Sequence, residues 1–206
     1  MTWIHQDFVS LEEVCPGIKL EVSYSKITNF TGSIVPGYHS AKAYLHKIPA
    51  LALKEAHALA KGKGLGFLIF DAYRPIKAVQ FFIDWARKPE DNLMYKEMFY
   101  PKFSRSELFE KGFIAKHSSH SRGSAVDLTL FENKSGEVLD MGSRFDFFDE
   151  ISQTESHLVS KVQLDNRLIL KNIMESCGFK NFSQEWWHYS FRPEPYPETY
   201  FDFDIL

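Results

Sequence analysis

A stretch of alternating residues with an acid in its middle places the strongest constraint on the fold. Residues 123–132, GSAVDLTLFE, predict a strand whose large aliphatic side chains share one face. Asp127 belongs to the other face, between the small residues Ala125 and Thr129. A carboxylate in the middle of a buried strand is unfavourable unless it is solvated, paired or bound to a cation. The fold must therefore bring partners to Asp127.

The segment HSSHSRGS, residues 117–124, offers such partners directly before the strand. If the chain from His120 to Asp127 were extended, their Cα atoms would lie about 23 Å apart. Ligands that share a metal ion with bonds of about 2 Å require the chain to fold back. Gly123 permits this bend, because glycine adopts backbone angles that other residues avoid.

A second group of reactive side chains lies in EWWH, residues 185–188. In a regular strand, Glu185 and His188 would point to opposite faces, because they are three residues apart. They converge only if Glu185 lies in a turn or bulge at the start of the strand, and Ser183-Gln184 permits one.

These residue types are those of a hydrolytic zinc site. Such a site uses three protein ligands, which leave one position for water, and a separate acid that takes the water's proton. The candidate ligands are His120, Asp127 and His188, with Glu185 as the base. Five further histidines compete for a metal: His39, His46, His57, His117 and His157. Of these, His57 lies in an apolar helical segment, which indicates packing.

The remaining patterns predict an α+β fold. Strands are expected at 18–26, 65–70 and 185–191, and a turn at 133–136 is followed by a second short strand. Helices are expected at 49–64, 75–88 and 165–179, with two short helices across 90–114. Asp165 is the expected N-cap of the helix at 165–179, and Gly178 the residue just after its C-cap. Helices lead the first half and antiparallel strands the second, so we expect an antiparallel sheet core flanked by helices.

Composition excludes several classes of protein. The chain has 206 residues, of which 44% are hydrophobic, and no low-complexity linker, so one domain over residues 1–206 is expected. A net charge of −3 argues against nucleic-acid binding, and no apolar run approaches the ~18 residues of a membrane span. The N-terminus lacks the pattern of a signal peptide, and the chain has two cysteines, Cys15 and Cys177. We therefore expect a cytoplasmic protein with Cys177 as a buried thiol.

The sequence resembles the VanX-type D-Ala-D-Ala dipeptidases, zinc enzymes related to the D-Ala-D-Ala carboxypeptidases and to the hedgehog N-terminal fold. SSHSRGSAVDLTL resembles the family's His-x₆-Asp metal motif and EWWH its Glu-x-x-His motif. The likeness extends over nearly the whole chain through LEVSY, NFTG, DAYRP, MGSRFDFFDE, IMESCGF and EPYPETYFDF. The sequence departs from the family after FFDE, where ISQTESHL holds His157 alone in place of two adjacent histidines.

The resemblance implies one bound Zn²⁺, with the ligands and base named above. It also implies that Arg74 of DAYRP is catalytic; a surface salt bridge is the alternative that the residues alone favour. Asp71 either orients Arg74 or caps the helix that follows. By resemblance, Asp146 and Tyr24 bind the substrate ammonium, and Ser118 binds its carboxylate. For Asp146 the alternative is a surface acid.

The implied reaction is hydrolysis of the small dipeptide D-Ala-D-Ala to two D-alanines. One alternative is a metallo-carboxypeptidase or endopeptidase acting on peptidoglycan stem peptides. Another is a zinc-stabilised binding module without catalysis. The aromatic residues near the C-terminus leave room for a self-association surface, so a homo-oligomer also stays open.

Overall fold

The computed structural model of the protein describes residues 5–206 and contains a five-stranded sheet in the order β2–β4–β5–β7–β6. The strands are β1 Phe8–Ser10, β2 Lys19–Leu20, β3 Tyr44–His46, β4 Leu65–Asp71, β5 Ala125–Glu132, β6 Phe179–Asn181 and β7 His188–Phe191. The helices are α1 Leu11–Val14, α2 Lys47–Gly62, α3 Ile76–Ala86, α4 Leu93–Phe99, α5 Arg105–Glu110 and α6 Lys161–Ser176. β2 and β4 are parallel and the other neighbours antiparallel, while β1 and β3 form a separate antiparallel pair. The α+β class is confirmed, with a mixed sheet in place of a purely antiparallel one.

The strand predicted at 18–26 is wrong beyond its first residues. Only Lys19 and Leu20 pair with β4, and Ser23–Ser25 form a 3₁₀ turn. The Ser25 hydroxyl donates to the carbonyl of Val22 at 2.8 Å within this turn, and the Asn29 amide donates to the carbonyls of Lys26 and Ser33 at 2.7 Å just after it. Local side-chain bonding thus overrides an alternating pattern. The short strand expected after the 133–136 turn is reduced to a single bridge between residues 131 and 138.

The helices follow the sequence signals more closely. α2 and α3 lie within a few residues of their predicted bounds, and two short helices occupy the 90–114 region. The prediction of Asp165 as N-cap is wrong, because α6 begins one turn earlier. There Ser160 accepts from the backbone N–H of Gln163, and the Gln163 side chain accepts from the N–H of Ser160. Gly178 follows the last turn with φ +84°, as expected of its position.

The hydrophobic core runs from Phe8 to Ile205 and includes the aliphatic face of β5. The C-terminal aromatics pack on this core. Phe201 lies 4.9 Å from the Phe8 ring, and Phe203 stacks on Tyr73 at 4.0 Å. The tail aromatics therefore pack on the protein's own core, and they give no separate support to the homo-oligomer that the sequence left open.

Both cysteines are free thiols. Cys15 is buried, whereas Cys177 is only partly buried at the end of α6, which corrects the expectation of a buried thiol. Over residues 5–206, no helix combines the length and the apolar character that a bilayer span requires.

Candidate active site

The register of three strands brings acidic and imidazole side chains into one row. Asp127 of β5 lies directly opposite His188 of β7 and opposite Asp71 of β4. The pairing with β4 is irregular between Ile69 and Asp71, so Asp71 takes the place opposite Asp127 that regular pairing would give to Phe70. This bulge adds a second carboxylate to the row.

The segment before β7 forms the turn that the sequence required. The Glu185 amide donates to the carbonyl of Phe182 at 2.9 Å, and the His188 amide donates to the carbonyl of Glu185 at 3.2 Å. β7 begins only at His188, so Glu185 is not constrained by strand alternation. Glu185 and His188 consequently line the same cavity.

The loop before β5 folds back at Gly123, which has φ +66°. A Cβ atom at this position would lie 2.4 Å from Phe8, so glycine is required for space as well as for conformation. The Ser124 amide donates to the carbonyl of Ser119 at 3.0 Å, and the His120 amide donates to Ser118 Oγ at 3.2 Å. These bonds close the loop and direct His120 towards β5.

The three candidate ligands converge within bonding reach of one ion. His120 Nε2 lies 3.1 Å from His188 Nδ1 and 3.3 Å from an Asp127 oxygen, and His188 Nδ1 lies 3.0 Å from the other oxygen. One ligand atom from each residue lies within 4.8 Å of the others. Among the described residues, this is the one such group of histidine, cysteine or acidic side chains. It is a candidate metal site.

The protonation of these ligands suits a metal. The carbonyl of Ala72 lies 2.6 Å from His120 Nδ1, so that nitrogen carries the hydrogen and Nε2 keeps its lone pair. Burial lowers the pKa of the His188 ring and favours its neutral form. Burial would raise the pKa of Asp127, but the His120 and His188 rings hold it below its usual value.

The competing histidines lie elsewhere, with one exception. His57 is buried and stacks on Phe67, in accord with the packing interpretation, and its pKa falls to about 4 because of burial. His46 caps α2. His117 lines the cavity but is not part of the group of three.

Arg74 lies beside the candidate ligands and is largely covered, with 14% of its side chain exposed. Its Nε donates to Asp71 at 2.9 Å, and one terminal nitrogen lies 3.5 Å from Asp127. The guanidinium also lies 5.2 Å from the centre of the Tyr24 ring, within cation–π distance. The surface salt bridge that the residues alone favoured is wrong.

Asp71 contacts Arg74 rather than capping α3. Pro75 is the N-cap of α3, and the carboxylate that accepts a backbone N–H in the first turn, that of Lys77, belongs to Asp202. Tyr38 donates a hydrogen bond of 2.7 Å to the second Asp71 oxygen. Tyr38 could not be predicted from the sequence, because no local signal connects it to a residue 33 positions away.

Asp146 lies in the cavity wall and not on the surface. It is buried, and Tyr24 donates to its carboxylate at 2.9 and 3.2 Å. Its φ of +57° makes it the one non-glycine residue with left-handed backbone among residues 5–206. Burial, reinforced by the charge of Asp127, raises the pKa of Asp146 well above its ordinary value. A strained, buried acid in a cavity indicates a functional residue.

Glu185, Ser118 and Ser119 also belong to the polar lining of the cavity. Burial raises the pKa of Glu185 well above its ordinary value, and the charges of Asp127 and Asp146 raise it further. Within the described part of the chain, no group donates a hydrogen bond to the Glu185 carboxylate. This leaves Glu185 able to bind a proton from a ligand in the cavity.

The cavity itself has a volume of about 200 Å³. This is below the roughly 300–1,000 Å³ typical of sites for drug-sized ligands. Its apolar wall consists largely of aromatic side chains that sequence analysis did not single out, namely Phe30, Phe82, Phe113, Phe148, Phe182 and Trp187. These residues come from distant parts of the chain, and an apolar side chain in isolation predicts only burial.

The balance of buried charge fits a bound cation. Four carboxylates line or flank the cavity, those of Asp71, Asp127, Asp146 and Glu185, and Arg74 is the one guanidinium among them. A divalent ion held by two imidazole nitrogens and a carboxylate oxygen would offset this negative charge. The donor set is one that zinc prefers.

Comparison with known proteins identifies the family. The family model described as D-Ala-D-Ala dipeptidase, peptidase M15, matches residues 5–205. The chain is 46% identical over 198 residues to a D-alanyl-D-alanine dipeptidase of Enterococcus faecalis, covering 96% of this chain and 98% of that one. It is 41% identical over 199 residues to one from Streptomyces coelicolor (97% and 98% covered) and 33% identical over 183 residues to one from Escherichia coli (89% and 83%).

The chain is also similar to solved structures. A mutant of the vancomycin-resistance D,D-pentapeptidase VanY in complex with Zn(II) superposes with a TM-score of 0.44 at 15% identity, covering 74% of this chain and 75% of that one.

The family model and the relatives at 33–46% identity establish that the protein is an M15 metallopeptidase. Within that class, the chain belongs to the D-Ala-D-Ala dipeptidase family, and the resemblance noted in the sequence is confirmed.

Proposed function

We propose that the protein is a zinc-dependent dipeptidase that hydrolyses D-alanyl-D-alanine to two D-alanines. The observation that carries the proposal is the meeting of a His-Asp-His ligand set, Glu185, Arg74 and Asp146 on the wall of one cavity of about 200 Å³. The relatives that share up to 46% of their residues with this chain are named for the same activity.

The cavity offers a partner for each end of a free dipeptide. Asp146, oriented by Tyr24, would bind the α-ammonium and so gain the counter-charge that its buried carboxylate lacks. Ser118 would donate its hydroxyl to the substrate carboxylate. The peptide bond would then lie between these two contacts, near Arg74 and Glu185.

His120, Asp127 and His188 would hold the zinc ion. When bound there, zinc supplies Lewis acidity and lowers the pKa of a coordinated water. Glu185 removes a proton from the attacking water and delivers it to the leaving amine. Arg74, fixed by Asp71, donates hydrogen bonds to the carbonyl oxygen as negative charge develops on it.

The features of the cavity favour a dipeptide substrate over a peptidoglycan stem peptide. A stem peptide has no free ammonium at the bond to be cleaved, so the buried Asp146 carboxylate would be left without a counter-charge from the substrate. The small volume likewise favours a ligand of two residues. The presence of Glu185 and Arg74 in the cavity favours catalysis over a non-catalytic binding module.

The test is to incubate the purified protein with D-Ala-D-Ala and to quantify free D-alanine, with and without a chelator. We expect release that the chelator abolishes and that added zinc restores. N-acetyl-D-Ala-D-Ala is the matched control substrate, since it lacks only the ammonium. Faster cleavage of the acetylated compound would overturn the dipeptidase proposal in favour of a stem-directed carboxypeptidase, and full activity in metal-free protein would overturn the zinc proposal.

We also infer that the enzyme is one domain that works in the cytoplasm. The free state of Cys15 and Cys177 supports a reducing compartment. One continuous hydrophobic core from Phe8 to Ile205 supports a single domain.

A further inference from the structure

We propose that Ser190, together with Ser119, positions His188 for metal binding by holding its imidazole in one tautomer. The inference rests on the proposed role of His188 as a metal ligand. It concerns two hydroxyls that the sequence did not single out.

The two serines form a short chain of hydrogen bonds behind the candidate metal site. His188 Nε2 lies 3.1 Å from Ser190 Oγ, and Ser190 Oγ lies 2.8 Å from Ser119 Oγ. Ser190 is two residues after His188 in β7, so both side chains lie on the same face of the strand. Ser190 is 7% exposed, which limits competition from water.

The contact between His188 and Ser190 matters because a neutral imidazole has two different nitrogens. Such a ring carries one N–H, and the nitrogen that binds a metal must keep its lone pair. His188 Nδ1 faces His120 and Asp127, so the hydrogen must sit on Nε2. Ser190 Oγ can accept that hydrogen and donate its own to Ser119, because a hydroxyl both accepts and donates.

The other imidazole is oriented differently. The Nδ1–H of His120 donates to the backbone carbonyl of Ala72 at 2.6 Å, a partner that no side-chain substitution removes. For His188 the corresponding partner is a side chain. The positioning of His188 can therefore be changed by deleting one oxygen atom.

Ser119 connects this hydrogen-bond chain to the loop that carries His120. It directly precedes His120, and its carbonyl accepts the amide of Ser124 at 3.0 Å. The bond between Ser119 and Ser190 thus connects the histidine loop to β7. The Ser119 and Ser190 hydroxyls thus align the loop of His120 with the strand of His188.

The test is the zinc affinity of the metal-free protein, measured by competition with a chromophoric chelator. We expect Ser190→Ala to weaken zinc binding by about 10- to 100-fold, as the loss of a hydrogen bond to a metal-bound histidine usually does. Ser190→Thr keeps the hydroxyl and is expected to restore affinity to within about threefold of wild type, and Ser119→Ala to cause a smaller loss than Ser190→Ala. Ser156→Ala, which removes another buried hydroxyl outside the cavity, should bind zinc like the wild type.

A second readout separates positioning from simple stability. In zinc-loaded wild type, a histidine Nε2–H resonance protected from exchange is expected in long-range ¹H–¹⁵N spectra, and it should exchange rapidly in Ser190→Ala. Wild-type affinity in Ser190→Ala would overturn the inference while leaving the zinc proposal intact. So would a loss of affinity that Ser190→Thr fails to restore and that accompanies lower thermal stability of the metal-free protein. Wild-type protein that binds no zinc would instead overturn the proposed function.

Discussion

The Tyr24 hydroxyl donates a hydrogen bond of 2.9 Å to the Asp146 carboxylate, although 122 residues separate the two in the chain. The bond joins the first part of the chain to the loop that follows β5, inside the candidate active-site cavity. Asp146 adopts left-handed backbone angles, so the fold holds this carboxylate in place at an energetic cost. A carboxyl group fixed in this way fits recognition of a substrate ammonium, whose positive charge would favour the ionised form.

We therefore expect Asp146→Asn to raise KM for D-Ala-D-Ala and to lower kcat/KM by about 30-fold or more. Loss of one partner of a buried charge pair costs about 2 kcal/mol or more. Tyr24→Phe removes a single hydrogen bond of about 1 kcal/mol and should lower kcat/KM by about fivefold. Steady-state kinetics on free and N-acetylated substrate provide the check. Asp146→Asn should affect only the free dipeptide, and equal losses on both substrates would contradict an ammonium-binding role.

We expect Arg74→Lys to lower kcat by about 10²–10³ while KM changes little. The guanidinium of Arg74 can bind Asp71 and the proposed reacting oxygen at the same time, whereas the ammonium of a lysine cannot span both. Arg87→Lys is the matched control. Arg87 directly follows α3 and pairs with Asp84 on the surface. It should retain wild-type kinetics, since exposed ion pairs contribute little. A rise in KM with unchanged kcat in Arg74→Lys would assign Arg74 to substrate binding instead.

Glu185→Gln tests the proposed base separately from the metal. The substitution keeps the shape of the side chain but removes its ability to accept a proton, so we expect kcat to fall by about 10²–10⁴. Zinc content should stay at the wild-type level, because Glu185 is not part of the ligand group. Metal analysis of the same preparation provides the check, and turnover near the wild-type rate would exclude Glu185 as the base.

The raised pKa of Glu185 also predicts how stability depends on pH in metal-free protein. Below its ordinary pKa of 4.5, the carboxyl is protonated in both folded and unfolded chains. Above that pH the unfolded chain releases the proton while the buried carboxyl keeps it, so the contribution of Glu185 to stability declines as pH rises towards its folded pKa. We expect the unfolding free energy of wild type relative to Glu185→Gln to decrease from pH 5 upwards in denaturant titrations. A difference that is constant with pH would show that Glu185 titrates normally.

The sequence predicted the group of candidate ligands, His120, Asp127 and His188, because its signals are local. Asp127 lies within an aliphatic strand, and the Glu-x-x-His spacing requires a turn that Phe182 and Glu185 do form. The spacing of His188 and Ser190 was equally visible, since strand alternation places residues i and i+2 on one face. The role of Ser190 was not predicted, because a serine in a strand indicates no function until its hydrogen-bond partner is known.

Other features could not be predicted, because they depend on contacts between distant segments. The bulge that places Asp71 beside Asp127 arises from pairing of two strands more than fifty residues apart. Tyr38 reaches Asp71 from outside the named strands, at an isolated bridge to Ile205. The early start of α6 was missed for a different reason, because the Ser160 capping signal lay upstream of the apolar pattern used to place the helix.

Comparison of alanine substitutions at Gly123 and Gly112 separates the cost of a steric clash from the cost of backbone strain. Both glycines have left-handed angles, with φ +66° and +83°, so alanine costs about 1–2 kcal/mol at either position. At Gly123 the added Cβ would also lie 2.4 and 2.5 Å from Phe8 ring carbons, whereas at Gly112 no heavy atom lies within 4 Å.

We therefore expect Gly123→Ala to lower the unfolding free energy of the metal-free protein by about 1–3 kcal/mol more than Gly112→Ala, since overpacking adds to the conformational cost. The Gly123 amide donates to the carbonyl of His120 at 3.0 Å, so displacement of this turn should also move the first candidate ligand and weaken zinc binding. Denaturant unfolding and chelator competition on both variants provide the measurements. If the two variants lose the same stability and the same zinc affinity, close packing against Phe8 does not position the His120 loop.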